Sequence, residues 1–275
     1  ALEGRRAGSA GERLAADYLV AQFRSIGLKP AGTGGSWLQG FEIFDGKKIA
    51  PGTQLIINNT SLLLSDEFFP LSFSAEKTVK GEVTIALTET GVPWFWDVKD
   101  ILESNKDNPH FELYESIRKK AIQASEKGAT ALLLYNSGPT PDRLEFIPRD
   151  KTELAPIPVV YLTPAAQKKF LSDHGLTVLI EIRTAWQTQT RTGHNVIGFL
   201  NNKAPTTVVI GAHYDHLGYG EDGNSMLRTG EKLIHNGADD NASGTAGLIE
   251  LARLLKKARL RNNNFLFIEI GRAHV

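Results

Sequence analysis

Residues 211–247 read GAHYDHLGYGEDGNSMLRTGEKLIHNGADDNASGTAG. His213, Asp215 and His216 follow the apolar run TTVVIGA, and Asp239 and Asp240 arrive about 25 residues later, just before an apolar helical pattern. Imidazole and carboxylate are the donors of a zinc-type site. Cysteine is absent from the chain, so any metal must be held by His, Asp and Glu. His213 is the candidate direct ligand. Asp215, two residues on, is placed to accept the other ring N–H and fix the tautomer. Asp240 has two oxygens and suits a bridge between two cations about 3.5–4 Å apart. Asp239 reads as a neighbour that shapes the loop, while His216 and His235 are candidates for lining the site. A lone His-x-Asp is common in proteins, and ADDNASG alone is most often a capped turn. The joint pattern separates a site from those readings: a strand end, then His-x-Asp, then Gly-x-Asp-Asp-Asn-x-Ser-Gly opening a helix.

The elements around it follow from periodicity. HNVIGFL and PTTVVIGA have the continuous apolar runs of strands buried on both faces. GTAGLIELARLLKKA puts Leu248, Leu251, Ala252 and Leu255 on one helix face, with Lys256, Lys257 and Arg259 where cations suit the helix dipole. NNFLFIEI starts a third strand. Strand, helix, strand implies a parallel pair with a right-handed crossover, and ligands bind beyond the carboxyl ends of such strands. His213 and Asp215 stand at that end. Asn241 or Ser243 is the expected cap of the helix.

Nearer the start, residues 12–26 (ERLAADYLVAQFRSI) carry Leu14, Tyr18, Ala21 and Ile26 at near-helical spacing, closed by Gly27. The glycines of GTGGS lack the strand-then-helix context of a phosphate loop. From residue 46 the texture becomes β-rich: TQLIINNTSLLL and KGEVTIAL are short strands, a helix closed by Gly128 feeds a strand at 131–135, and IPVVYLTPAAQKKFLSDHGLTVLIEI gives strand, short helix, strand. His110, His174 and His194 have no partners in the pattern and read as structural or exposed.

Composition narrows the classes. At 275 residues, 41% hydrophobic and 23% charged, the chain has material for a sizeable core. Lys+Arg and Asp+Glu both number 31, so no charge excess points to nucleic acid or an anionic membrane. No run of 18 apolar residues suggests a membrane span.

GAHYDHLG with NGADDNASGTAG resembles the first half of the co-catalytic di-zinc aminopeptidase family, that of bacterial leucyl aminopeptidases and aminopeptidase Y. LEGRRAGSAGERLAADYLVAQFRSIGLKP resembles that family's N-terminal segment. EKGATALLLYN and APIPVVYLT are similar to the protease-associated domain often inserted in such enzymes. The resemblance implies an α/β fold, a mixed and largely parallel sheet flanked by helices. Residues 1–45 and 190–275 would belong to the peptidase domain and 46–189 to a β-rich protease-associated insert. It implies two zinc ions, with His213 on one, Asp240 bridging both, and Asp215 orienting His213. It implies release of N-terminal residues from peptides through a metal-bridged water, in a secreted or periplasmic protein with no nucleic-acid partner. Two other readings share the resemblance: a carboxypeptidase or glutaminyl-cyclase-like enzyme, and a non-catalytic, transferrin-receptor-like binding ectodomain. The family's Glu-Glu pair, one of them the general base, would follow the third strand. The chain reads EIGRAHV there, and IGRAHV resembles a reading frame of a common sequencing adapter, so residues 269–275 are expected to be foreign. The expectation for the chain as given is an exposed apolar surface, aggregation, weak zinc binding and no peptidase activity, with GRAHV packed against nothing.

Overall fold

The computed structural model describes residues 2–173, 175–227, 231–258 and 260–272. His174, Arg259 and the last three residues of GRAHV lie outside them. The chain divides into two compact units, one formed by Ala1–Phe44 with Thr190–Val275 and the other by Asp45–Gln189.

In chain order the first unit starts with α1 (Ala10–Ile26), β1 (Lys29–Pro30) and β2 (Leu38–Ile49). The second unit holds β3 (Gln54–Ile57), β4 (Thr60–Ser61), β5 (Phe68–Pro70), β6 (Thr78–Thr84), β7 (Trp94–Asp97), α2 (Lys99–Asn105) and α3 (Leu113–Glu126). It continues with β8 (Leu132–Tyr135), β9 (Val159–Leu162), α4 (Pro164–Phe170) and β10 (Thr177–Arg183). The chain returns through β11 (Trp186–Leu200), β12 (Thr207–His213), α5 (Ser243–Lys257) and β13 (Asn264–Ile270).

The second unit is layered. Its β4-β3-β10-β6 sheet is antiparallel, and its β5-β9-β8-β7 sheet has parallel β7–β8 and β8–β9 pairs. Strand alternation explains why β8 is apolar at every position. Leu133 and Tyr135 point into a core shared with Leu55, Ile57, Val178 and Ile180, whereas Leu132 and Leu134 meet Ile117, Ala121 and Ala124 of α3.

The sheet of the first unit runs β1-β11-β13-β12, with β2 also paired to β11. β12 and β13 are parallel and joined by α5, as strand, helix, strand requires. β11 is antiparallel to both β1 and β13. The sheet is mixed, as expected, but β12–β13 is parallel while β1–β11 and β11–β13 are antiparallel, so the parallel part is not the larger share of these pairs. β13 lies between β11 and β12, so those two consecutive strands are not neighbours. β12 therefore has an open side, and the expectation that PTTVVIGA is buried on both faces fails. Val208 and Val209 are exposed, the latter 60%. β13 runs on through Ile270, with Glu269 opposite both Ala212 and Val196, and Gly271 N–H donates to Asn195 Oδ1 at 2.9 Å.

Helix α1 is closed at its start by Ser9, whose hydroxyl accepts Glu12 N–H at 3.2 Å, and at its end by Gly27 in the left-handed conformation. Its buried face is Ala15, Ala16, Leu19 and Phe23. Leu14 and Tyr18, expected on the inner face, are 54% and 56% exposed. The small alanines decide this, because they let the helix approach closely while Leu19 and Phe23 fill the space beyond. That face packs with Val196, Leu200, Tyr214, Leu248, Ala252, Phe265 and Phe267, so α1 covers the sheet that carries TTVVIGA. Burying Leu19 and Phe23 stabilises the unit by roughly 1.5–3 kcal/mol per side chain. On α5, Leu248, Ile249 and Ala252 are buried, and Leu251 faces outward instead.

Candidate metal centre

β12 ends at His213, so its ring stands at the carboxyl end of the parallel pair. The loop that returns to α5 brings Asp240 to it. His213 Nε2 lies 3.2 Å from Asp240 Oδ1, and on the other side of the ring Nδ1 lies 3.4 Å from Asp215 Oδ1. The Asp215 carbonyl oxygen is also 3.3 Å from Nδ1. Two oxygens face Nδ1, which places the proton there and turns the Nε2 lone pair toward Asp240. With that tautomer, the Nε2 lone pair and the Asp240 oxygen 3.2 Å away can both face one cation. A zinc ion about 2.0–2.1 Å from each donor, in tetrahedral geometry, would hold the donors roughly 3.3 Å apart. The pair therefore fits a shared metal.

Asp215 is almost fully buried, while the Asp240 side chain is 59% exposed. This contrast matches their chemistry: one carboxylate is fixed in the wall behind the ring and the other stands in the open cleft. Asp215→Asn keeps the shape but weakens the hold on Nδ1–H. It should lower zinc affinity by about 10–100-fold. Isothermal titration of the two proteins with zinc measures this directly.

The remaining sequence candidates are unevenly placed. His216 Nδ1 lies 3.8 Å from Asp240 Oδ2, so the second oxygen of Asp240 faces a second imidazole. His235 meets His216 edge-on with ring centroids 6.5 Å apart, and its Nε2 is 3.1 Å from Ser225 Oγ. Asp239 is exposed and contributes its backbone carbonyl, which accepts the Ser243 hydroxyl at 3.2 Å. Asn241 caps α5: its Oδ1 accepts Gly244 N–H at 3.2 Å. The Asp240–Asn241 peptide is cis. Among the described residues no group of three or more His, Asp or Glu side chains is arranged to hold one metal ion together.

Several residues that the spacing did not single out surround this site. The Arg5 side chain donates to the carbonyls of Tyr214, Asn236 and Gly237. Burial lowers the pKa of its guanidinium, against the opposing pull of Asp215 and Asp240. The Tyr214 hydroxyl donates to the buried carboxylate of Glu12 and lies 2.7 Å from the His194 carbonyl oxygen. Burial, then the Glu12 charge, pushes the phenol's pKa far up. His194 is thus structural: its N–H donates to Glu12 Oε1 at 3.1 Å, and its Nδ1 is 3.6 Å from Oε2. Glu269 is fully buried on β13, and its pKa is pushed up to about 8 by burial. The Thr245 hydroxyl beside it opposes that shift but also reaches the His213 carbonyl at 3.2 Å. Farther out, Asp222 is held by Arg6 and Arg191. Burial alone would raise its pKa, and the hydrogen bonds from the two arginines bring it well below the usual carboxylate range.

Residues 195–269 match the sequence profile of Peptidase family M28. A 48-residue segment is 51% identical to YfbL of Escherichia coli strain K12, covering 18% of this chain and 13% of that protein. Over 141 residues the chain is 28% identical to aminopeptidase YwaD of Bacillus subtilis strain 168, covering 50% of this chain and 26% of that protein. The fold aligns 98% of this chain with 57% of BSAP, a zinc aminopeptidase from Bacillus subtilis, at 19% identity and a TM-score of 0.36. The chain thus corresponds to only part of the length of each. The donor pair at the end of β12 thus lies inside the segment that matches Peptidase family M28.

Proposed function

We propose that the protein is a zinc aminopeptidase in which His213 and Asp240 hold metal and Asp215 orients His213. The observation that carries this reading is the 3.2 Å approach of His213 Nε2 to Asp240 Oδ1, with Nδ1 turned to Asp215. The match to the peptidase family supports it, as does the aminopeptidase name of the Bacillus subtilis relative. Zinc bound there supplies Lewis acidity toward a peptide carbonyl and the attacking water. The residues of this chain do the rest of what can be assigned. Asp215 keeps the proton on Nδ1, Asp240 offers one oxygen toward His213 and the other toward His216, and Asn241 fixes the start of α5 behind them. Asp240 bridging two ions belongs to the same proposal, as does a secreted or periplasmic location. So does the assignment of Asp45–Gln189 as a protease-associated unit. That the chain by itself binds metal without turning over peptide belongs to the same proposal.

The test compares peptides with free and acetylated N-termini. A form of the protein that carries a Glu-Glu pair beyond β13 should release single N-terminal residues from the free peptides only. The 275-residue chain should release none above a protein-free blank. Cleavage of acetylated peptides, or release from the carboxyl end, would refute the aminopeptidase reading.

A further inference from the structure

We propose that Arg5 is a positioning residue that sets the separation of the two loops carrying the metal donors. The inference rests on the reading of His213 and Asp240 as those donors. His213 and Asp215 flank Tyr214, and Asp240 follows Gly237 by three residues. The Arg5 guanidinium reaches both places. Nε donates to the Tyr214 carbonyl at 2.6 Å, and the two terminal nitrogens donate to Asn236 and Gly237 carbonyls at 2.8 and 3.0 Å. A planar fork of donors fixes the angle between its acceptors as well as their distance, which an ammonium group cannot do. The fork is itself nearly buried, so these carbonyls have little water to turn to if it is withdrawn.

The backbone around Arg5 is built for this task. Glu3, Gly4 and Arg5 all have positive φ, of 45°, 68° and 48°. Left-handed backbone is unfavourable for residues with a Cβ, so two such exceptions flanking a glycine are held by their surroundings. What holds them is the same pair of loops. His216 N–H donates to the Arg5 carbonyl at 3.1 Å, Gly218 N–H donates to the Gly4 carbonyl at 3.0 Å, and His235 N–H donates to the Gly218 carbonyl at 2.9 Å. On the other loop, Gly237 has φ +54 and passes so close to His216 that a Cβ there would stand 2.5 Å from the ring. The Gly237 carbonyl also accepts Ala242 N–H at 3.1 Å, so the atom gripped by Arg5 is tied directly to the turn that contains Asp240.

The experiment uses the full chain and its Arg5→Lys, Arg5→Ala and Arg6→Ala variants. Arg6 is the adjacent control, because its guanidinium donates to the Asp222 carboxylate and its backbone, which is kept in the variant, makes the bridge to His216. Two quantities are read: amide hydrogen exchange of the metal-free proteins, and zinc affinity by competition with a chromophoric chelator. In Arg5→Lys, exchange at Ala242 should accelerate by about tenfold or more, with protection of α1 and of the β3–β10 pair unchanged. Zinc affinity should fall by about 10–100-fold, the range for groups that orient ligands. Arg6→Ala should match the parent in both. Guanidinium added to Arg5→Ala should restore affinity, and urea at the same concentration should not. Parent-like exchange at Ala242 in Arg5→Lys overturns the proposal, as does an equal loss in Arg6→Ala, which would make the effect one of general N-terminal docking. A parent protein that binds no zinc defeats the metal reading, while the exchange measurement still decides the role of Arg5.

Discussion

Asp240→Ala should lower zinc affinity by more than about 100-fold, beyond what loss of an orienting partner costs, and leave folding nearly untouched. The two halves of this result come from one placement. The carboxylate has one oxygen 3.2 Å from His213 Nε2 and the other 3.8 Å from His216 Nδ1, so its removal leaves neither ring facing an anion there. It is also 59% exposed, so truncation opens no cavity. His213→Ala should remove one metal equivalent, whereas Asp240→Ala should remove both if the carboxylate bridges. Metal analysis after dialysis, with a thermal melt of each metal-free variant, reads both effects. Two full equivalents retained in Asp240→Ala would eliminate the bridging role.

The second large effect concerns Glu269. Its carboxyl is fully buried, and neither oxygen has a hydrogen-bond partner of good geometry among the described residues. Burial disfavours the charged form and raises its pKa from 4.5 to about 8. Between those two values the unfolded chain loses this proton and the folded chain keeps it. The folded state then binds more protons, so stability falls as pH rises through the window. The full contribution is present below about pH 4.5 and is lost by about pH 8. A displacement of this size corresponds to on the order of 5 kcal/mol. Glu269→Gln removes the titration, so it should outlast the parent in urea at pH 8 by several kcal/mol more than at pH 5. Identical pH slopes for the two proteins would show that water or a rearrangement solvates the carboxylate.

The parts of the molecule legible in the sequence are those set by local periodicity and local chemistry. The strand ending at His213, the helix opened by the Asn241 cap and the strand that follows are of this kind. So is α1, with Gly27 closing it. What the pattern missed depends on neighbours far away in the chain. Leu14 and Tyr18 carry more hydrophobic signal than Ala15 and Ala16, yet the alanines face inward because a close helix–sheet approach needs small residues. β12 has the composition of a central strand and lies open because β13 inserts between it and β11. Arg5 and Glu12 act on residues more than 200 positions later, and no spacing rule connects them. The Gly-Arg-Arg segment offered one usable hint: an arginine beside glycine near a helix start has no local partner to satisfy it. Within the site, His213, Asp215, Asp240 and His216 come together, whereas His235 stands one ring farther out and Asp239 turns away.

The central claim is that His213 and Asp240 share a metal ion, and anomalous diffraction at the zinc edge tests it most directly. Crystals of the chain equilibrated with zinc should show a peak about 2.0–2.2 Å from both His213 Nε2 and a carboxylate oxygen of Asp240, with Asp215 still facing Nδ1. A zinc-loaded crystal whose peaks all lie elsewhere, for example between Ser225 and His235, would contradict the account.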